Sequence, residues 1–119
     1  MLYCRPATKG VHQVDFKHIS VQETASRMAD SAVVIADIRD EQSYVAGHIA
    51  GAWHLTQASL ANFIAKHDSS TPVVVVCYHG NSSQGAAQYL VQQGFAEVYS
   101  MDGGMALWQQ QHPVQSGHG

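Results

Sequence analysis

One stretch decides the fold of this chain: Thr71-Pro72-Val73-Val74-Val75-Val76-Cys77-Tyr78-His79-Gly80-Asn81-Ser82-Ser83. Four consecutive valines after a proline predict a short strand that is buried on both faces, as in a parallel sheet. After Ser83 the apolar residues recur at helical spacing, and Gly94 is a fitting helix end. Cys77 is therefore expected at the carboxyl end of a buried strand, on a short loop that opens a helix.

Strands and helices are predicted to alternate on either side of this stretch. Strands are expected at 15–19, 32–36, 53–55, 73–76 and 97–101, and helices at 20–28, 41–46, 57–66, 84–93 and 105–111. This order predicts a single α/β domain, with a central parallel sheet of about five strands and helices on both faces. We expect a loose N-terminal leader at 1–14, the domain at 15–113 and a frayed tail at 114–119.

Composition narrows the class of protein. The 119 residues suffice for one domain, 45% are apolar, 13% are charged and the formal net charge is −3. No basic cluster favours nucleic acid or an anionic membrane, and no apolar run reaches the ~18 residues of a membrane span. Two cysteines without a signal-peptide pattern indicate a reducing cytoplasm. The eight histidines are scattered, so we expect no metal site.

The loop after Cys77 has the features of an anion site. Open α/β sheets bind ligands beyond the carboxyl ends of their strands, and a helix start offers unpaired N–H groups to an anion. The same N–H groups should lower the pKa of a thiol placed there, so Cys77 is the expected catalytic nucleophile. Cys4 has no such position and is expected to play no part.

The residues after Cys77 are the expected substrate-binding set: Tyr78, His79, Gly80, Asn81, Ser82 and Ser83. Their N–H groups would form an anion-binding nest. The hydroxyls of Ser82 and Ser83 would either assist the anion or the sulfur, or simply cap the helix. His79 either lends a hydrogen bond to the substrate or is a bystander. Asp37 and Arg39 would contact the loop from beneath, or form an ordinary structural ion pair.

Two covalent reactions fit such a thiolate. In one, it attacks the outer sulfur of thiosulfate, keeps that sulfur as a persulfide and releases sulfite. In the other, it attacks phosphorus or arsenic oxyanions. The second reaction usually needs a guanidinium clamp, supplied by the pattern C-x5-R. Here the sixth residue after Cys77 is Ser83, and no arginine follows it in the chain, which weighs against a phosphatase.

Three segments resemble signatures of the rhodanese family. They are residues 37–52 with Gly47-His48-Ile49-Ala50-Gly51-Ala52, the loop at 77–83, and Gly103-Gly104-Met105-Ala106-Leu107-Trp108. The resemblance extends from about Phe16 to Pro113 and is closest to single-domain bacterial thiosulfate sulfurtransferases. It implies a rhodanese-like fold, a persulfide on Cys77, thiosulfate as donor and no metal or organic cofactor. It also implies cyanide as an in vitro acceptor and a thiol such as thioredoxin as a physiological one.

Two alternatives remain beside the sulfurtransferase. One is a phosphatase or arsenate reductase of the same fold. The other is a sulfur-relay binding module that receives sulfur from a partner protein. The sequence leaves the physiological donor and acceptor, the pathway and the oligomeric state open.

Overall fold

The computed structural model describes residues 15–117, so the predicted leader at 1–14 lies outside the described residues. The elements follow one another as β1 (Lys17–Ile19), α1 (Val21–Ala29), β2 (Val34–Asp37), α2 (Glu41–Ala46), β3 (Trp53–His54), α3 (Leu60–Lys66), β4 (Val73–Val76), α4 (Ser82–Gln92), β5 (Val98–Met101) and α5 (Gly104–Gln111).

The strands form one parallel sheet in the order β1-β5-β4-β2-β3. β4 lies at its centre, and all four of its valines are fully buried. The predicted α/β fold with five parallel strands is therefore confirmed, and the stretch that suggested it is the central strand.

Helices cover both faces of this sheet, as predicted. The alternation of β4 shows this directly, because Val74 and Val76 pack in one apolar cluster while Val73 and Val75 pack in the other. Residues of α1, α2 and α5 complete the first cluster, and residues of α3 and α4 complete the second. The central strand is therefore packed between two apolar clusters, which fix the position of its carboxyl end.

Several predicted boundaries shift, and local hydrogen bonds explain two of the shifts. The helix predicted from residue 57 begins at Leu60, because Ser59 closes a turn and donates its hydroxyl to the carbonyl of His54 at 2.9 Å. The strand predicted from residue 32 begins at Val34, since the N–H of Ala32 still caps α1 by donating to the carbonyl of Arg27. α4 begins at Ser82, two residues before the predicted start.

The structure corrects the expected frayed tail for residues 114–117. Gln115 forms an antiparallel bridge with His48, with both N–H···O distances at 2.8 Å. The N–H of Gly117 donates to the carbonyl of Val45 at 2.8 Å. This segment has few apolar side chains, and sequence periodicity gives no sign of pairing that depends on the backbone alone.

Candidate active site

Cys77 directly follows the central strand, at the carboxyl edge of the sheet. Its neighbour Val76 is in register with Asp37 on β2, and the N–H of Ile38 extends the pairing to the carbonyl of Val76. α4 begins five residues after Cys77. The cysteine therefore lies between a strand end and a helix start, as the sequence predicted.

The sulfur of Cys77 lies in a cradle of donors formed by its own loop. The N–H groups of Gly80 and Ser83 both donate to Sγ at 3.2 Å. The Ser83 hydroxyl lies 3.3 Å from Sγ, and it also bonds to the hydroxyl of Ser100 at 2.7 Å. When Sγ is a thiolate, the Ser83 hydroxyl can donate to it while accepting from Ser100, because a hydroxyl does both.

These contacts set the acidity of the thiol. Burial raises the pKa of Cys77, since a charge loses hydration there, but the hydrogen bonds from the Ser83 hydroxyl and from the N–H groups of Ser83, Gly80 and Ser82 outweigh it. The net effect is a pKa below the usual thiol value. The cradle therefore favours the nucleophilic form of the sulfur.

The start of α5 holds the loop from below. The N–H groups of Met105 and Ala106 donate to the carbonyls of Cys77 and Tyr78, each at 2.8 Å. A side-chain carbon at Gly104 would lie 2.5 Å from the Cys77 carbonyl oxygen and closer still to that of Tyr78. The carbonyls of Cys77 and Tyr78 are thus bonded to α5, while N–H groups of the same loop face the sulfur.

The other loop side chains point away from the sulfur. Those of Tyr78, His79, Asn81 and Ser82 are exposed, and the described contacts join none of them to Sγ. Tyr78 and His79 contact each other edge to face, with ring centroids 4.4 Å apart. Of the predicted binding set, Gly80 and Ser83 reach the sulfur directly, and Ser82 acts on it through its N–H.

Asp37 and Arg39 form a buried ion pair at the end of β2. The guanidinium bonds both carboxylate oxygens, with Nη2 at 2.8 Å from Oδ2 and Nε at 3.0 Å from Oδ1. Nη2 also donates to the carbonyl of Gly47 at 2.7 Å. No described contact links either side chain to Cys77, so the geometry favours the structural interpretation of the pair.

A family model described as the rhodanese-like domain matches residues 20–111. The chain belongs to the rhodanese family. The match includes every candidate site residue named above, and the α/β fold with its five-stranded parallel sheet is that of a rhodanese-like domain.

Curated relatives and solved structures agree with this assignment. A relative from Pseudomonas entomophila named thiosulfate sulfurtransferase GlpE is 53% identical over 105 residues, covering 88% of this chain and 95% of its own. A protein of the same name from Pseudoalteromonas translucida is 54% identical over 94 residues, covering 79% and 90%. The solved Alr3790 protein from Anabaena is 25% identical with a TM-score of 0.74, covering 82% of each chain.

Sequence reasoning missed two residues of this rhodanese site. Ser100 lies on β5 and is fully buried, yet it supports the Ser83 hydroxyl. Gly104 was not among the predicted site residues, although its missing side chain lets α5 reach the loop. A single serine within an otherwise apolar strand was the available signal for Ser100, but nothing in the sequence indicates its partner.

Within residues 15–117, His, Cys, Asp and Glu side chains form no group of three or more that could hold a metal ion. None of the helices in that range is long and apolar enough to cross a membrane.

Proposed function

We propose that this rhodanese is a thiosulfate sulfurtransferase that carries sulfur as a persulfide on Cys77. The observation that carries the proposal is the cradle, in which two N–H groups and one hydroxyl surround a buried sulfur of lowered pKa. The relatives named thiosulfate sulfurtransferase, at 53% and 54% identity, support the choice of donor.

In the first step the Cys77 thiolate attacks the outer sulfur of thiosulfate. A bond forms between Sγ and that sulfur, the bond to the sulfonate breaks, and sulfite leaves with the electron pair. The persulfide keeps one negative charge on its outer sulfur, so charge balances. The N–H groups of the loop around Cys77 would stabilise this charge without a cationic side chain.

In the second step an acceptor removes the outer sulfur. Cyanide would leave as thiocyanate, and a thiol such as that of thioredoxin would become a persulfide itself. Cys77 returns to a thiolate, which completes a double displacement. Neither step requires a metal or an organic cofactor, and a cytoplasmic location would keep the thiol reduced.

The arrangement of arginines argues against a phosphatase or arsenate reductase. Among residues 15–117 the arginines are Arg27 and Arg39, and both are bonded to carboxylates. A phosphoryl transition state would find no free guanidinium among the cradle contacts of Cys77. Backbone N–H groups and hydroxyls suit a smaller, singly charged persulfide better.

The test is sulfite release from thiosulfate and cyanide, combined with intact mass after thiosulfate alone. We expect one added sulfur on the parent protein and none on Cys77→Ser, since a serine oxygen forms no persulfide. Cys77→Ser should lose at least about a thousandfold in kcat/KM, while Cys4→Ser, the matched control, keeps nearly full activity. Loss of activity in the Cys4 variant would refute the assignment of Cys77.

Two further measurements separate the alternatives. Sulfur uptake only from a partner persulfide protein, and not from thiosulfate, would favour the relay module. Turnover of p-nitrophenyl phosphate that depends on Cys77 would favour the phosphatase.

A further inference from the structure

A small cavity lies beside the active-site loop and outside the cysteine cradle. It measures about 220 Å³, and its lining includes Arg39, Gly47, Tyr78, Gln109 and Val114. Arg39 and Tyr78 each come two residues after a register pair, Asp37 and Val76. The cavity, called here the Arg39 cavity, is therefore bordered by the residue next to the nucleophile.

Arg39 presents an unused edge in this cavity. Its side chain is only 7% exposed, and its Nε and Nη2 atoms are taken by Asp37 and Gly47. In the described chain, Nη1 has no hydrogen-bond partner. A buried guanidinium with unmet N–H donors is costly, so these donors call for an acceptor group. Arg39 lines the cavity, and Nη1 is the guanidinium nitrogen that remains available to bond a ligand there.

The other walls complement this donor. Gln109 is exposed on α5, and its side-chain amide makes no hydrogen bond among residues 15–117. Tyr78, which follows Cys77 in the chain, is half exposed and offers an apolar ring to the cavity lining. Arg39 is the one charged residue among the described lining side chains, and Asp37 already balances its charge. Such a site suits one singly charged group better than a dianion.

We propose that the Arg39 cavity binds the carboxylate of a small thiol acceptor. Arg39 Nη1 donates to one carboxylate oxygen and the Gln109 amide to the other, while the apolar stem of the acceptor lies along Tyr78. The acceptor thiolate then attacks the outer sulfur of the Cys77 persulfide, and the Cys77 thiolate leaves with the electron pair. The transfer step rests on the proposed sulfurtransferase function, whereas carboxylate binding does not.

The first test measures binding without turnover. Propionate is titrated into the parent protein while NMR follows the Gln109 side-chain amide and the Arg39 Nε–H. We expect saturable shifts at both. In Gln109→Glu, which has no side-chain amide to follow, we expect the shift at the Arg39 Nε–H to be abolished, because a competing carboxylate lies beside Arg39. Gln110→Glu, which adds the same charge outside the lining, should keep both shifts. Absent shifts, or shifts that survive Gln109→Glu, would overturn the site whatever the activity.

The second test uses two acceptors of equal chain length, mercaptohexanoic acid and mercaptohexanol. We expect kcat/KM for the acid, relative to the alcohol, to fall about tenfold in Gln109→Glu and to stay unchanged in Gln110→Glu. A ratio that Gln109→Glu leaves unchanged overturns the acceptor site. Cyanide turnover by the parent protein is measured alongside, because its absence would refute the sulfurtransferase instead, leaving the propionate titration to judge the cavity.

Discussion

The pKa of Cys77 depends on individual hydrogen-bond donors, and the two serines of the loop contribute differently to it. Ser83 contributes both its N–H and its hydroxyl, whereas the Ser82 side chain is exposed and only its N–H acts on the sulfur. The two adjacent serines therefore form a matched pair for separating a side-chain effect from a backbone effect.

We expect Ser83→Ala to raise the pKa of Cys77 by about one to two units, since a hydrogen bond to a charged group contributes about 1.5–3 kcal/mol and one unit corresponds to about 1.4 kcal/mol. Ser82→Ala should leave it within about 0.3 units, because the N–H remains. The rate of iodoacetamide alkylation against pH gives both midpoints. Equal shifts in the two variants would contradict the role of the Ser83 hydroxyl.

The lowered pKa also predicts a pH-dependent contribution to stability. Between the folded value and the unfolded thiol value of ~8.5, the unfolded state binds more protons, so ionised Cys77 stabilises the fold increasingly as pH rises. This contribution is complete above the unfolded value and is lost as pH falls through the folded one. Denaturant unfolding of the parent protein and Cys77→Ser across this range should show their difference growing with pH. A difference that shrinks as pH rises would contradict the lowered pKa.

At the scale of elements, the contact between α5 and the loop decides the shape of the site. The first N–H groups of α5 would otherwise lack partners, and the loop carbonyls accept them at 2.8 Å. This contact needs the absence of a side chain at Gly104, whereas Gly85 within α4 has nothing within 4 Å of an added carbon.

Gly104→Ala should therefore lower the free energy of unfolding by more than about 2 kcal/mol and slow alkylation of Cys77, because backbone atoms on both sides must separate. Gly85→Ala should raise the free energy of unfolding by about 0.5–1 kcal/mol, since alanine restricts the unfolded chain without strain in the helix. Urea unfolding of the two variants checks both signs. A Gly104 variant as stable as the parent protein would refute the tight contact.

Across the whole molecule, the pairing of residues 114–117 joins the end of the domain to the turn after α2. His48 is fully buried, and its carbonyl accepts the N–H of Gln115. Gln115→Pro removes the N–H donor and leaves the buried His48 carbonyl without that hydrogen bond. This should lower the free energy of unfolding by about 1–3 kcal/mol.

Gln115→Ala keeps the backbone donor and should change the unfolding free energy by less than about 0.5 kcal/mol. Thermal or urea unfolding distinguishes the two variants. If both were as stable as the parent protein, the bridge would contribute nothing to the domain.

The sequence by itself determined the features that depend on neighbours along the chain. The valines of β4, the bounds of α2 and the position of Cys77 before a helix all follow from local spacing, and the structure has them where they were predicted. The thiol's lowered pKa was also foreseeable, because the hydrogen-bond donors that lower it all lie within six residues of Cys77.

Only the tertiary structure decided which distant residues complete the site. Ser100 meets Ser83 because β5 lies beside β4, and Gly104 meets the loop because α5 packs back against it. The Arg39 cavity likewise depends on β2, which pairs with β4 on the side opposite β5. Periodicity shows which face of an element is buried, but the order of strands is set by packing of the whole chain, and no local pattern encodes it.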